Sequence, residues 1–367
     1  MNVRFLLAGF GLATAGLMAG TARAQTAGLD VGQFAQLVRN YNLVTFGDAN
    51  LTMDSQDTQG PLAIGGNLTV GGAVPFVNFS QFSSSADPTL YVNGTLAVSN
   101  GVTAMLNNGY ASLTGAANTG SWDGTQKRYT TSAGGILSTA NAVGGNAKSA
   151  LDPRTNPAPS SWNFASMKST ATSISNNLAG LAANGTIGVS GQNLVFNAGS
   201  NTGVVVFNLD AALLTGNGSI YNGQSFSGIS FGSNNSIPTN TEFVINLKNA
   251  AGKTIFGTGN GVNFNPPGGA GASQLLWNIV NTGGTDITTT LGNGGQFFGS
   301  VLAPMVTLAN ATNAPLNGQI LADSITYSNA ELHYTGFVAI PEPAGWAAIL
   351  GATAFGLVAR KRRIARA

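Results

Sequence analysis

Short apolar runs separated by Gly/Asn turns dominate the chain. Leu62-Ala63-Ile64 leads into Gly65-Gly66-Asn67, Leu68-Thr69-Val70 and Gly71-Gly72. Leu90-Tyr91-Val92, Asn93-Gly94-Thr95, Leu96-Ala97-Val98 and Ser99-Asn100-Gly101-Val102 repeat the design. Each run is a three-residue strand with apolar ends, and alternation puts both ends on one face. Gly and Asn supply the positive φ that tight corners need. Strands this short, with turns this frequent, suit a solenoid in which each strand pairs with its equivalent one coil away. An internal echo supports this: Gly299-Ser-Val-Leu-Ala-Pro304 returns as Gly318-Gln-Ile-Leu-Ala-Asp323, 19 residues on, about one coil of a three-sided β-helix. Further strands are read at Ile187–Val189, Leu194–Phe196, Val204–Leu209, Ile229–Phe231, Phe243–Leu247 and Gln274–Val280.

Two stretches follow the helical period instead. Phe34, Leu37, Val38 and Tyr41 predict a short helix before an entry strand at Leu43–Phe46. After the Pro-rich break at 152–159, Phe164, Met167, Ile174, Leu178 and Leu181 form one stripe of a longer amphipathic helix. Ser160 or Ser161 fits its start and Asn184-Gly185 its end. The expected fold is mainly β: a β-solenoid (β-helix)-like body with one long amphipathic helix packed alongside, a signal helix at the N-terminus and a transmembrane helix at the C-terminus.

The ends read as export and sorting signals. Arg4, an apolar run from Phe5 to Gly20 and Ala22-Arg23-Ala24 make a signal peptide over 1–24, with cleavage expected after Ala24. At the other end stand Pro341-Glu342-Pro343, an apolar segment over 344–359 and the basic cluster Arg360-Lys361-Arg362-Arg363. Sixteen apolar residues are at the short end for a membrane span, and the charges that follow hold the terminus in the cytoplasm. The domain plan is therefore 1–24 signal peptide, 25–338 ectodomain and 341–367 sorting signal.

Composition changes the picture in three ways. Charged residues are only 8% of the 367. Seven of the 15 Lys and Arg and one of the 13 acids (Glu342) fall in the terminal signals, which leaves the body at −4 and argues against a nucleic-acid surface. Cysteine is absent, which excludes disulfides, thiolate metal sites and a Cys nucleophile.

Candidate chemistry is sparse. Asp48, Asp54 and Asp57 fit either a Ca²⁺ site or Asx-turns; their spacing does not match an EF-hand loop, and the turn reading is preferred. Glu331 and the single histidine, His333, share a strand face and could pair, but a solvated terminal strand is the preferred reading. No nucleophile elbow, zinc-protease motif or phosphate loop is present. Thr288-Thr289-Thr290 is a local run, short of the regular threonine ladder that an ice-binding face needs.

The tail resembles a PEP-CTERM sorting signal in all three of its parts, which implies processing by an exosortase in a Gram-negative bacterium that makes extracellular polysaccharide. The body resembles the choice-of-anchor A family through Phe46-Gly-Asp-Ala-Asn50, Thr58-Gln-Gly-Pro-Leu-Ala-Ile-Gly-Gly-Asn67, Trp162-Asn-Phe164, Gly318-Gln-Ile-Leu-Ala322 and Ala330-Glu-Leu-His-Tyr334. Gln59 stands where family members often carry a charge. The resemblance implies an adhesive, ice-binding-like β-solenoid ectodomain at the cell surface. An adhesin or matrix component associated with exopolysaccharide in a biofilm is the expected function; a carbohydrate-active enzyme on a β-helix and a Ca²⁺-dependent binding module are the alternatives.

Overall fold

The computed structural model describes residues 27–39, 41–52, 58–71, 87–140, 147–159, 162–215, 219–232, 234–256, 263–264, 271–291, 296–310, 315–328 and 331–340. The signal peptide and sorting signal read from the sequence, with Ala22, Ala24, Pro341, Glu342, Pro343, Arg360, Lys361, Arg362 and Arg363, lie outside them. Among the described residues no helix is long and apolar enough to cross a membrane.

The body is a three-sided β-solenoid. One side is a parallel ladder in the order Gly203–Asp210, Thr241–Lys248, Leu275–Ile279, Ser300–Asn310, Ile320–Ser328, Leu43–Thr45, Leu62–Ile64, Leu90–Val92 and Ala111–Leu113. The 19-residue echo is one coil: Val301, Leu302 and Ala303 pair with Ile320, Leu321 and Ala322. The same interval sets Leu43 against Leu62 and Ala49 against Leu68.

The stack does not follow chain order. Leu43–Thr45 sits between Ile320–Ala322 and Leu62–Ile64, so the last described coils meet the first. Two coil sets from opposite ends of the sequence thus form one column.

Glycine shapes the corner after the first strand of each N-terminal coil. Gly66 donates its N–H to the Gly47 carbonyl and Gly94 to the Gly66 carbonyl, each at 2.9 Å. A Cβ on Gly94 would collide with the Gly66 carbonyl, which is why the turns read Gly-Gly-Asn and Asn-Gly-Thr.

The interior changes along the column. Where the strands are three residues long it is aliphatic, with Leu43, Leu62, Ile64, Leu68, Val92 and Val98 fully buried. Where they lengthen to eight residues, Phe196, Phe207, Phe231, Phe243 and Phe256 fill the larger space around Trp277, whose Nε1 donates to the Phe298 carbonyl at 2.9 Å.

A second apolar layer covers the outside of the ladder. Helix α1 (27–38) buries Ala27, Val31, Phe34 and Val38 on one stripe. Helix α2 (Phe164–Gly180) buries Ala171, Ile174, Ser175 and Leu178. Together they form one cluster with Val44, Ala63, Val204, Val206, Val244, Leu276, Leu302 and Leu321. The limits of α2 differ from those read in the sequence. Its N-cap is Asn163, whose side chain accepts from the Ser166 amide at 3.0 Å, and it ends at Gly180 with Leu181 extended.

Asn184 and Gly185 serve the sheet rather than the helix. Asn184 Oδ1 accepts from the Val206 N–H at 2.6 Å and its Nδ2 donates to the Val204 carbonyl at 3.1 Å, closing the free edge of Gly203–Asp210. At the far end, Asn156 Nδ2 donates to the Ala111 carbonyl at 2.8 Å, and the Leu113 N–H reaches the Pro153 carbonyl at 3.0 Å. The segment 152–185 is a clasp: edge cap, spanning helix, edge cap. Covered edges remove the template on which sheets aggregate.

Asparagine fixes the helix to the column. Asn278 Nδ2 donates to Asn246 Oδ1 at 2.8 Å, and Asn246 Nδ2 to Asn208 Oδ1 at 3.1 Å. The same three amides donate to the helix-side carbonyls of Ser175, Leu178 and Leu181 at 2.9, 2.8 and 3.1 Å.

Candidate binding face

Among the described residues, the cluster that buries α1 and α2 includes no strand residue of the second side of the solenoid. That side is built by Thr254–Ile255, Ile287–Leu291, the second halves of Ser300–Asn310 and Ile320–Ser328, then Ala49–Thr52, Leu68–Gly71 and Leu96–Val98. The long strands turn onto this side at a register shift between Ala303 and Thr307. Alternation sends Ile255, Leu291, Leu308, Ile325, Leu51, Val70 and Val98 inward.

The residues between them point outward and fall into register. Thr254 pairs with Thr290, Thr290 with Ala309, Ala309 with Thr326, Thr326 with Asn50, Asn50 with Thr69, and Thr69 with Ala97. These seven positions cross the face in one rank, about 29 Å long at the usual strand spacing. Flanking positions are similar: Thr288 lies against Thr307, and Thr52 lies between Ser328 and Gly71. Thr254, Thr326, Asn50 and Thr69 are exposed, the other three half-exposed. The face is uncharged along the rank and has no exposed aromatic ring on its strands.

The threonine run at 288–290 is therefore part of a ladder, with members from coils far apart in the chain. Its middle residue belongs to the interior: Thr289 is buried and donates its hydroxyl to the Ala250 carbonyl at 2.9 Å.

Asp48 stands at the corner beside this face. Its Oδ1 accepts from the Asn67 N–H at 2.7 Å, and Asn67 Oδ1 accepts from the Thr95 N–H at 2.9 Å. Asp48 occupies the slot that Asn67 fills one coil on, so it tethers a turn. Asp54 and Asp57, its partners in the Ca²⁺ reading, lie outside the described residues.

The corner on the other side of Asp48 is pinned to α2. Lys168 Nζ lies 2.5 Å from Asp323 Oδ1 and 3.5 Å from Asp286 Oδ2. Burial alone would lower the lysine pKa; the hydrogen bond and charge of Asp323, with Asp286 behind it, overcome this and raise it.

Glu331 and His333 do pair, at the last described coil. His333 Nε2 is 2.6 Å from Glu331 Oε2, and Nδ1 is 2.9 Å from Asn317 Oδ1. The Asn317 amide donates to the Phe297 carbonyl at 2.9 Å, which fixes its oxygen toward the ring. The trio ties the neighbouring strands Leu316–Asn317 and Leu332–His333 together.

A search of curated proteins finds no match to this sequence. Among solved structures, an ice-binding protein from an Arctic yeast, described for its antifreeze activity, is 13% identical; the match covers 84% of this chain and 95% of that one, with a TM-score of 0.33. The ice-binding protein 1 DUF3494 domain of Shewanella frigidimarina is 10% identical (83% and 97% covered, TM-score 0.30). An ice-binding protein from the Antarctic ascomycete Antarctomyces psychrotrophicus is 12% identical (82% and 96%, TM-score 0.26). At these scores the likenesses carry no argument of their own. The sequence model of the ice-binding-like adhesive domain matches residues 34–334, nearly the whole described solenoid, and the chain belongs to that family.

Proposed function

We propose that this protein is a non-enzymatic, exported adhesin that binds an extended, regularly repeating polar surface through its flat face. Exopolysaccharide around the producing cell is the proposed ligand class. The observation that carries this reading is the rank Thr254, Thr290, Ala309, Thr326, Asn50, Thr69 and Ala97, held in parallel register on a rigid column. Evenly spaced hydroxyl, amide and methyl groups suit a ligand that repeats, since many weak contacts add when all are made at once. A preformed sheet has little conformational entropy left to lose on binding.

A second reading takes an ice surface as the ligand. The dominance of threonine and the lack of exposed aromatic rings on the described strands of this side favour it, because sugar sites commonly stack on such rings.

Delivery follows from the ends of the chain. Residues 1–24 direct export, 344–359 hold the protein briefly in the inner membrane, and an exosortase processes it at Pro341-Glu342-Pro343, as in the choice-of-anchor A and PEP-CTERM proteins the sequence resembles. Glu342→Ala then leaves a larger, membrane-retained band.

The test of the binding face is the pair Thr69→Lys and Thr326→Lys, both at exposed positions where a long cation is tolerated by the fold. Co-sedimentation with exopolysaccharide from producing cells should fall sharply in both variants while the melting temperature holds. Partition into growing ice, lost in the same variants, selects the second reading. Wild-type behaviour of both variants in both assays refutes a role for this face.

A further inference from the structure

A separate hollow lies on the third side, away from the flat face. It forms over the sheet of Thr186–Ser190, Asn193–Asn197 and Gly228–Phe231. Leu194, Phe196, Ile229 and Phe231 of this sheet point into the core. Their neighbours point out: Gly188 pairs with Val195, Val195 with Ser230, and Thr186 with Asn197.

The hollow has a volume of about 840 Å³, within the range of small-molecule sites. A second hollow of about 270 Å³ adjoins it and shares Asn197, Gly232 and Asn234 as a common wall. The two together make a trough rather than a compact pocket. No acidic or basic side chain is among the described residues lining either one.

The polar groups along the trough have hydrogen-bonding capacity to spare. Asn197 Oδ1 accepts from the Gly199 N–H at 2.9 Å, which leaves its NH₂ group without a protein partner among the described residues. The side chains of Asn234, Ser190 and Ser230 have none there either. The floor is bare at Gly188, where an added Cβ would meet nothing within 4 Å, and apolar at Val195.

We propose that this trough is a binding site for a neutral oligosaccharide. Asn and Ser both donate and accept, as sugar hydroxyls do. The exposed backbone at Gly188 and the methyls of Val195 suit the apolar face of a pyranose ring. The lack of charge excludes phosphate and uronate ligands, which need Arg or Lys opposite them. The elongated shape admits a short run of sugar units. The site does not depend on the flat-face reading: the flat face meets a surface, whereas the trough takes one chain or chain end.

The test uses the purified full-length protein on an array of neutral and anionic oligosaccharides, followed by calorimetric titration with the best neutral binder. Gly188→Phe fills the floor at a position with open space and ordinary φ, and Ser230→Ala with Asn234→Ala removes hydrogen-bonding groups. Expected are binding to a neutral oligosaccharide, weakening by about tenfold or more in both altered proteins, and no change in Ser169→Ala, an exposed position on α2 outside both sites. Silence across all neutral glycans overturns the proposal, as does undiminished affinity in a folded Gly188→Phe protein or equal binding of anionic glycans. Loss in Thr69→Lys but not in Gly188→Phe places the glycan on the flat face instead.

Discussion

The asparagine ladder between α2 and the column gives a prediction with a calculable size. Asn246 is fully buried and makes three bonds: to the Leu178 carbonyl at 2.8 Å, to Asn208 Oδ1 at 3.1 Å, and from Asn278 Nδ2 at 2.8 Å. Asn246→Leu keeps the heavy-atom count and branching, so no space is left for water in its place. The Leu178 carbonyl retains the Leu181 N–H at 3.2 Å, and Asn278 Nδ2 retains the Ser175 carbonyl. Two groups lose their partner: Asn208 Oδ1 and one N–H of Asn278. Each orphaned buried group costs about 1–3 kcal/mol. Asn208 is half-buried and belongs at the low end. The gain from a buried leucine offsets roughly 1 kcal/mol. The net expectation is destabilisation by about 1–3 kcal/mol. Guanidinium unfolding followed by far-UV circular dichroism measures it, with an unchanged m-value required. Asn208→Leu orphans one N–H of buried Asn246 and the Leu181 carbonyl, and should cost a similar amount. A cost below about 1 kcal/mol for Asn246→Leu refutes the claim that the ladder fastens the helix.

Three further outcomes follow from the geometry. Asn184→Ala uncovers Val204 and Val206 on the terminal strand and should raise the rate of aggregation seen by light scattering, with a modest fall in melting temperature. Asp30 is buried, and burial raises its carboxyl pKa against the opposing hydrogen bond from Asn177. The folded state therefore holds this proton more tightly, and its stability contribution is lost as pH rises from the unfolded carboxylate value, about 3.9, through the raised one. Asp30→Asn should thus stabilise the protein at pH 7 and give no gain below about pH 3, as pH-resolved melting would show. Removing divalent ions with EDTA should leave the melting temperature unmoved, since Asp48 is already committed to the Asn67 amide; a clear drop restored by Ca²⁺ would revive the metal reading.

The sequence shows most plainly what is local. The stripes of α1 and α2 repeat at helical spacing within one segment, so both helices are legible; the caps of α2 are displaced, and Tyr41, read into the first stripe, lies beyond α1, which ends at 38. Asn184-Gly185 looks like a helix end because Asn and Gly favour left-handed caps. The terminal strand, invisible at that range, claims the pair instead: a Cβ on Gly185 would collide with the Phe207 ring. The one-coil echo at Gly299 and Gly318 is legible because nothing is inserted between those coils. The asparagine ladder is hidden because its members lie 38 and 32 residues apart, an irregular interval set by turns of different length.

The flat face was hidden for a deeper reason. Read along the chain, Thr254, Thr290 and Thr326 recur at 36 residues but Asn50 and Thr69 at 19, and the two sets share no period. They become a rank only because Leu43–Thr45 slots beside Ile320–Ala322 and aligns Asn50 with Thr326. Neither half of the chain holds the rank alone: the seam between the first and last coils runs through its middle. The clasp 152–185 crosses the same seam on the other side of the column, from its edge cap at Ala111 to its edge cap at Val206. Lys168, in the second turn of α2, grips Asp323 at the corner where the C-terminal coil turns onto the face. The helix that covers one side of the solenoid therefore holds in register the coils that make the other. The proposed binding through the rank would thereby depend on completion of the whole fold rather than on any one segment of it.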